Sequence, residues 1–282
     1  MALNPAIPTV FSAKVLQALD TALVATQPSV VTTEYEGEIR RQGDRVKIST
    51  IADVEIKDYT KNTNIDAAED LNAAALELII DQAKYYNFEE DDIDRIQVSI
   101  DAMNEAARRA AYGLAKTADE YVLGLYTDVA SANTFGNDTT PITITSSNAY
   151  QYLVEMKVAL DKTDTPTDGR WVILPPDWVG MLLQDNRFVG YGTAPQDQRL
   201  ANGFVGRAAG FDILQSNNIT NISAAKYKVM AGYRGAIGFA AQLNKAKMYE
   251  PELRFSAAMK GLYLYGAKVL RPDNLALTVA SF

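Results

Sequence analysis

Arg170-Trp171-Val172-Ile173-Leu174-Pro175-Pro176-Asp177-Trp178 is the stretch on which the reading of this chain turns. Trp171 to Leu174 are apolar without polar alternation, which predicts a strand covered on both faces. Two prolines then follow. Neither can donate to a strand ladder, yet a proline fits the first helical turn, so the strand must stop and a short helix open over residues 179–184. Asp185, Asn186, Arg187 and Phe188 come next.

Two further stretches lie downstream. Asn202-Gly203-Phe204-Val205-Gly206-Arg207-Ala208-Ala209-Gly210-Phe211-Asp212-Ile213, followed by Ser216-Asn217-Asn218, reads as a glycine-spaced turn leading into a strand. A phosphate-binding loop is the competing reading of these glycines. Their spacing fits neither phosphate-loop pattern, and a strand-like run stands where a helix would have to begin. The third stretch holds Ala231-Gly232-Tyr233-Arg234-Gly235-Ala236-Ile237-Gly238-Phe239, then Glu250 and Arg254, then Gly261-Leu262-Tyr263-Leu264-Tyr265-Gly266-Ala267-Lys268-Val269-Leu270-Arg271-Pro272. Leu262 and Leu264 alternating with Tyr263 and Tyr265 predict a half-buried strand that ends at Arg271-Pro272.

Towards the N-terminus, Phe11, Val15, Leu19 and Leu23 predict an amphipathic helix over residues 12–25, ended by Pro28. Residues 30–56 read as extended, with Val46, Ile48, Val54 and Ile56 alternating against polar neighbours and Gly43-Asp44 as the turn. A polar tip over residues 58–70 and a second strand over 75–80 complete a two-stranded ribbon. Such a ribbon is barely stable alone and needs a surface to lie on. A long helix is predicted from the acidic cluster Glu89, Glu90, Asp91, Asp92 to about residue 129, on the stripe Ile93, Ile96, Ile100, Met103, Ala107, Ala110, Leu114, Ala118, Tyr121 and Leu125. Its length would be roughly 55 Å. The acidic cluster then complements the helix dipole and is not an acid and base pair. Residues 131–141 have the composition of a linker. Ser147 or Asn148 caps a helix to about residue 162 that buries Tyr152, Met156, Ala159 and Leu160 and leaves through residues 164–169.

Composition excludes much chemistry. The 282 residues, 48% hydrophobic, contain no Cys and no His. Thiolate nucleophiles, imidazole bases, disulfides and Cys/His zinc sites are therefore ruled out. A net charge of −8 speaks against a phosphate-contacting surface; it either simply keeps the protein dispersed or suits a wall that faces nucleic acid without adhering to it. The first ten residues lack a basic start and are broken by Pro5 and Pro8, unlike a signal peptide. No apolar run approaches the roughly 20 residues that span a bilayer.

Taken in order, the three stretches resemble the HK97-like major capsid proteins of tailed bacteriophages, in their P22-coat-like branch. The resemblance implies an α+β HK97-like capsid fold with an N-terminal arm (1–40), an extended β-hairpin loop (41–84), a peripheral domain with a long spine helix (85–145), an axial α/β domain (146–245) and a return to the peripheral domain (246–282). It implies a coat protein that assembles into hexamers and pentamers of an icosahedral head enclosing double-stranded DNA. No catalytic, cofactor-binding or metal-binding residue is assigned. The principal partner is the chain itself. No segment ahead of the arm is long enough to be a built-in scaffold, so a separate scaffolding protein is expected, with portal and decoration proteins. The place of work is the virion, assembled in the host cytoplasm, with no membrane. Some relatives crosslink through Lys and Asn; Lys57, Lys61, Asn62 and Asn64 lie on the extended loop without a motif for that chemistry. The alternatives are an encapsulin-like nanocompartment shell, a carboxylate-dependent hydrolase with no evident acid pair, and a surface or tail protein.

Overall fold

The computed structural model describes residues 23–33, 43, 45–51, 58, 59, 61, 64, 73–91, 102–185, 204–222, 226–252 and 256–282. In chain order its strands and helices are β1 (Arg45–Ile51), β2 (Ala73–Ile79), β3 (Gln82–Asp91), α1 (Ala102–Leu123), β4 (Thr134–Phe135), β5 (Ile142–Thr143) and α2 (Ala149–Lys162). There follow β6 (Arg170–Leu174), α3 (Pro176–Gln184), β7 (Phe204–Ala208), β8 (Phe211–Gln215), β9 (Asn221–Ile222), β10 (Lys226–Tyr233), β11 (Ile237–Tyr249), β12 (Ser256–Val269) and β13 (Leu275–Ser281). They form the two-stranded ribbon β1-β2, the three-stranded sheet β11-β12-β3 and an eight-stranded sheet.

Helix α1 lies on one face of the three-stranded sheet. It contributes the small buried side chains Ala107, Ala111, Ala115 and Ala118, and the sheet answers with Tyr86, Tyr263, Tyr265 and Phe239. Small residues on the helix let the backbones approach while large rings fill the layer between them. The Tyr263 and Tyr265 rings sit 5.2 Å apart, and Tyr121 meets Tyr265 edge-on at 5.5 Å. At 22 residues the described helix is about 33 Å long.

The acidic cluster does not open this helix. Glu89, Glu90 and Asp91 belong to β3 and pair with Ala258, Ala257 and Ser256 of β12. A period of two explains it: Tyr86 and Phe88 turn inward, while Tyr85, Asn87 and Glu89 turn outward. The remainder of the expected helix start, Asp92 to residue 101, lies outside the described residues. Downstream the expected stripe holds, with Val122 buried beside it and a 3₁₀ turn over Gly124–Asp128 extending the rod. Strand β12 is covered on both faces and not half-buried, because Tyr263 and Tyr265 face α1 while Leu264 packs under the ribbon.

The eight-stranded sheet runs in the order β4-β13-β10-β6-β8-β7, with β5 also on β13 and β9 also on β10. Every residue of β6 is buried. Val172 and Leu174 pack with α2 and α3 through Leu153, Met156, Leu160, Trp178 and Leu182, while Trp171 and Ile173 face the cluster shared with α1. Pro175 and Pro176 start α3 as expected. The glycine-spaced stretch is the hairpin β7-β8, whose turn residues Ala209 and Gly210 have φ of 49° and 83°. Helix α2 buries Leu153 where Tyr152 was expected, and Tyr152 is half-buried. Asn148 precedes α2, but its side chain accepts from Thr145 N–H at 2.7 Å and donates to the Thr143 carbonyl at 3.0 Å, which ties the entry loop.

The linker-like residues 131–141 are stitched to the sheet. Strands β4 and β5 run parallel to β13, and the buried Asn133 amide donates to the Asp273 and Leu275 carbonyls at 2.7 and 3.1 Å. Of the residues after 246, β12 lies in the three-stranded sheet and β13 in the eight-stranded one. The N-terminal helix expected over residues 12–25 lies outside the described residues up to residue 22. Residues 24–31 make turns in place of an extended start, because the Val30 and Val31 amides both bond back to the Gln27 carbonyl after Pro28.

Candidate assembly surfaces

The ribbon is the first surface. Strands β1 and β2 pair from Arg45↔Ile79 to Ile51↔Ala73. Its base is docked: Ile48, Leu78 and Ile80 are buried against Ala240 and Leu264 of the three-stranded sheet. Gly266 makes that docking possible, since a Cβ there would stand 2.3 Å from the Ile79 carbonyl oxygen. The Gly43 amide bonds to the Ile80 carbonyl at 2.7 Å, and Lys268 Nζ donates to the Glu77 carbonyl at 3.0 Å. Tyr59 beyond β1, Ile79 between the docked Leu78 and Ile80, and Tyr85 on β3 are exposed apolar side chains. Of the crosslink candidates, Lys61 and Asn64 are exposed, while Lys57 and Asn62 lie outside the described residues.

The second surface is where residues 23–32 cross α1. Leu23, Ala25, Val30 and Val31 are buried in the same cluster as the helix. The Val24, Ala25 and Thr26 amides donate to the Asp119 carboxylate at 3.0, 3.1 and 3.2 Å. Thr26 Oγ1 adds a contact at 3.3 Å and Asn218 Nδ2 one at 3.4 Å. Burial pushes the Asp119 carboxyl above the usual aspartate range, against the pull of these donors. Thr32 then joins the edge of β11 through Thr32 N–H to Ile237 O at 2.9 Å and Phe239 N–H to Thr32 O at 3.0 Å. Sequence reading missed Asp119. Its signal was an acid inside an apolar helical stripe, beside Ala115, Ala118 and Val122, where a charge needs partners.

The third surface is the outside of the eight-stranded sheet's layer. Its frame is held by fully engaged cations. Arg170 is buried and donates to Asp161 Oδ1 at 2.6 Å, the Pro166 carbonyl at 2.8 Å and the Thr165 carbonyl at 2.5 Å. Buried Lys228 pairs with Asp138 and lies 5.2 Å from the Tyr126 ring centre. The C-terminal Phe282 packs edge-on against Trp178 and Tyr227. Val154 and Val158, one helical turn apart on α2, stay exposed, as does Leu183 on α3.

None of this is arranged as a reaction centre. Among the described residues no group of three or more acids is placed to hold a metal ion. Glu89 is an exposed strand residue. Burial lifts Tyr265 to about 12, and burial with the Asp81 hydrogen bond raises Tyr121 further. Both hydroxyls are therefore neutral near pH 7. No described helix is long and apolar enough to cross a membrane.

The surfaces fit a subunit held by neighbours, and comparison with known proteins agrees. Among curated proteins none matches the chain in sequence. Among solved structures, that of Mycobacterium phage Che8 is similar at 25% identity and TM-score 0.66, covering 88% of each chain. The capsid of Ralstonia phage GP4 is similar at 12% identity and TM-score 0.66, covering 93% of this chain and 89% of that one. The SrpI encapsulin of Synechococcus elongatus is similar at 13% identity and TM-score 0.55, covering 83% and 81%. The family described as phage capsid protein matches residues 76–278, well over half of the chain. The chain belongs to that phage capsid protein family, and with it to the structural coat proteins of the virion.

Proposed function

We propose that this coat protein forms hexamers and pentamers that tile an icosahedral head around double-stranded DNA. The observation that carries the proposal is the docked ribbon: its base is packed on the subunit body, while Tyr59 beyond it and the outward side chain of Ile79 remain uncovered. A two-stranded element of this kind gains stability when a neighbour covers it. Closed symmetric assembly from many weak interfaces then follows from repetition of one contact set. The net charge of −8 suits an inner wall that does not bind the packaged polyanion.

The proposal includes the P22-coat-like branch and a five-part division into arm, extended loop, peripheral domain, axial domain and return. Under it the three-stranded sheet with α1 is the peripheral core, and the eight-stranded sheet is the axial core, which draws in residues 134–143 and β13. A separate scaffolding protein, a portal and decoration proteins are the proposed partners, with assembly in the host cytoplasm before DNA enters.

The encapsulin similarity supports a second reading, a shell that encloses proteins. Co-expression with each neighbouring gene product, followed by reconstruction of the particles by electron cryomicroscopy, separates the two. Heads with hexamers, pentamers and one portal vertex support the proposal. Particles without a portal vertex that retain a co-expressed enzyme would replace it with the compartment reading.

A further inference from the structure

We infer that Asp119 is a releasable latch for residues 23–32: its carboxylate holds this segment against α1, and losing that one group frees the segment as a unit while helix and sheets stay folded. The consequence drawn for assembly rests on the coat-protein reading; the latch itself does not.

The geometry is that of an anion site whose anion belongs to the same chain. Three consecutive backbone amides converge on one carboxylate, which is how successive N–H groups form an anion-binding concavity. The anion is fully buried, and the donors that hold it are amides, a hydroxyl and the Asn218 side chain. Its neighbours on the stripe are Ala115, Ala118 and Val122, so a small apolar residue would fit at lower desolvation cost. What the carboxylate supplies is acceptance of those donors.

The segment has little regular structure to hold it otherwise. It belongs to neither a helix nor a strand ladder, and the Val30 and Val31 amides bond only back to Gln27 within it. Its side chains Leu23, Ala25, Val30 and Val31 are buried in the cluster with α1, and its polar fastenings to the body are Asp119 at one end and Thr32 at the other, through Ile237, Phe239 and the Arg234 carbonyl. Removing the carboxylate leaves three amides, two of them buried, without an acceptor at once, and a buried donor without a partner costs more than a hydrogen bond contributes. Asp119 therefore fixes the place of residues 24–26 on α1.

The test is hydrogen exchange on the full chain and on Asp119→Ala, which removes both acceptor oxygens, with particle formation followed in parallel. In Asp119→Ala the amides of residues 24–32 should exchange roughly 10- to 100-fold faster, while α1 and β12 keep their protection and shells close poorly or misshapen. Unchanged protection at residues 24–26, or loss of protection throughout the subunit in step, would overturn the latch. Wild-type exchange provides an independent check should the variant not fold. Residues 24–32 must open before α1 does, and exchange of both only on global unfolding would refute the inference. A wild type that shows this early opening but never forms shells would sink the coat reading and leave the latch standing.

Discussion

Replacing Gly266 by alanine puts the docking of the ribbon to a direct test. A Cβ at this position would lie 2.3 Å from the Ile79 carbonyl oxygen, 3.0 Å from Ile80 Cα and 3.1 Å from Ile79 C. All three are backbone atoms, so no side-chain rotation relieves the clash. Either the strands deform in place, at about 1–3 kcal/mol for overpacking, or the ribbon base lifts. Lifting exposes Leu78 and Ile80, both fully buried, at about 1.5–3 kcal/mol each. Deformation is the cheaper response, so a loss of about 1–3 kcal/mol is expected, a large share of the roughly 5–15 kcal/mol of a typical subunit. Chemical denaturation reads the stability, and hydrogen exchange at residues 78–80 reads the docking. Gly113→Ala is the control: it stands on the exposed side of helix α1 with nothing within 4 Å of its Cβ position, and it should stabilise by up to about 1 kcal/mol. A Gly266→Ala protein with unchanged midpoint and unchanged exchange would refute the packing argument.

Further outcomes are expected elsewhere. Arg170→Lys has no fork to reach Asp161, Thr165 and Pro166 together, and should cost about 2–4 kcal/mol in denaturant titration. Gly261 faces Tyr86 across β12 and β3, and a Cβ there would meet the ring at 2.4 Å; Gly261→Ala should lower the melting temperature and shift the Tyr86 ring resonances. By NMR, Asp119 should titrate above and Asp161 below the ordinary aspartate value of 3.8. Asp161 is held down by hydrogen bonds from Lys157 and Arg170. Its contribution is present above the unfolded value and disappears as pH falls through its lowered folded value, a small effect because the carboxylate is partly exposed. Asp119 runs the other way: its raised folded value is a penalty at neutral pH, relieved as pH falls through that value.

Legibility in the sequence followed the strength of each local constraint. Trp171 to Leu174 with Pro175 and Pro176 left one outcome, because an unbroken apolar run ended by two residues lacking an N–H is a covered strand and then a helix start. Strand β1 was legible from a different signal, the alternation of Val46 and Ile48 with polar neighbours, while Val54 and Ile56 of the same expectation lie outside the described residues. The acidic cluster misled because charge at a helix start and charge on the outer face of an edge strand look alike in composition. The inward Tyr86 and Phe88 of β3 carried the deciding period. The burial of β12 on both faces was hidden, since its second cover comes from a ribbon more than a hundred residues away in sequence. Asp119 was hidden for the same reason, its amide partners lying 93 to 95 positions upstream.

Negative-stain electron microscopy of fractions from size-exclusion chromatography, on the chain expressed alone and with its genomic neighbours, tests the coat-protein account most directly. The account predicts closed shells, or capsomers that close when a scaffolding protein is supplied. A stable monomer that assembles with none of those neighbours would contradict it.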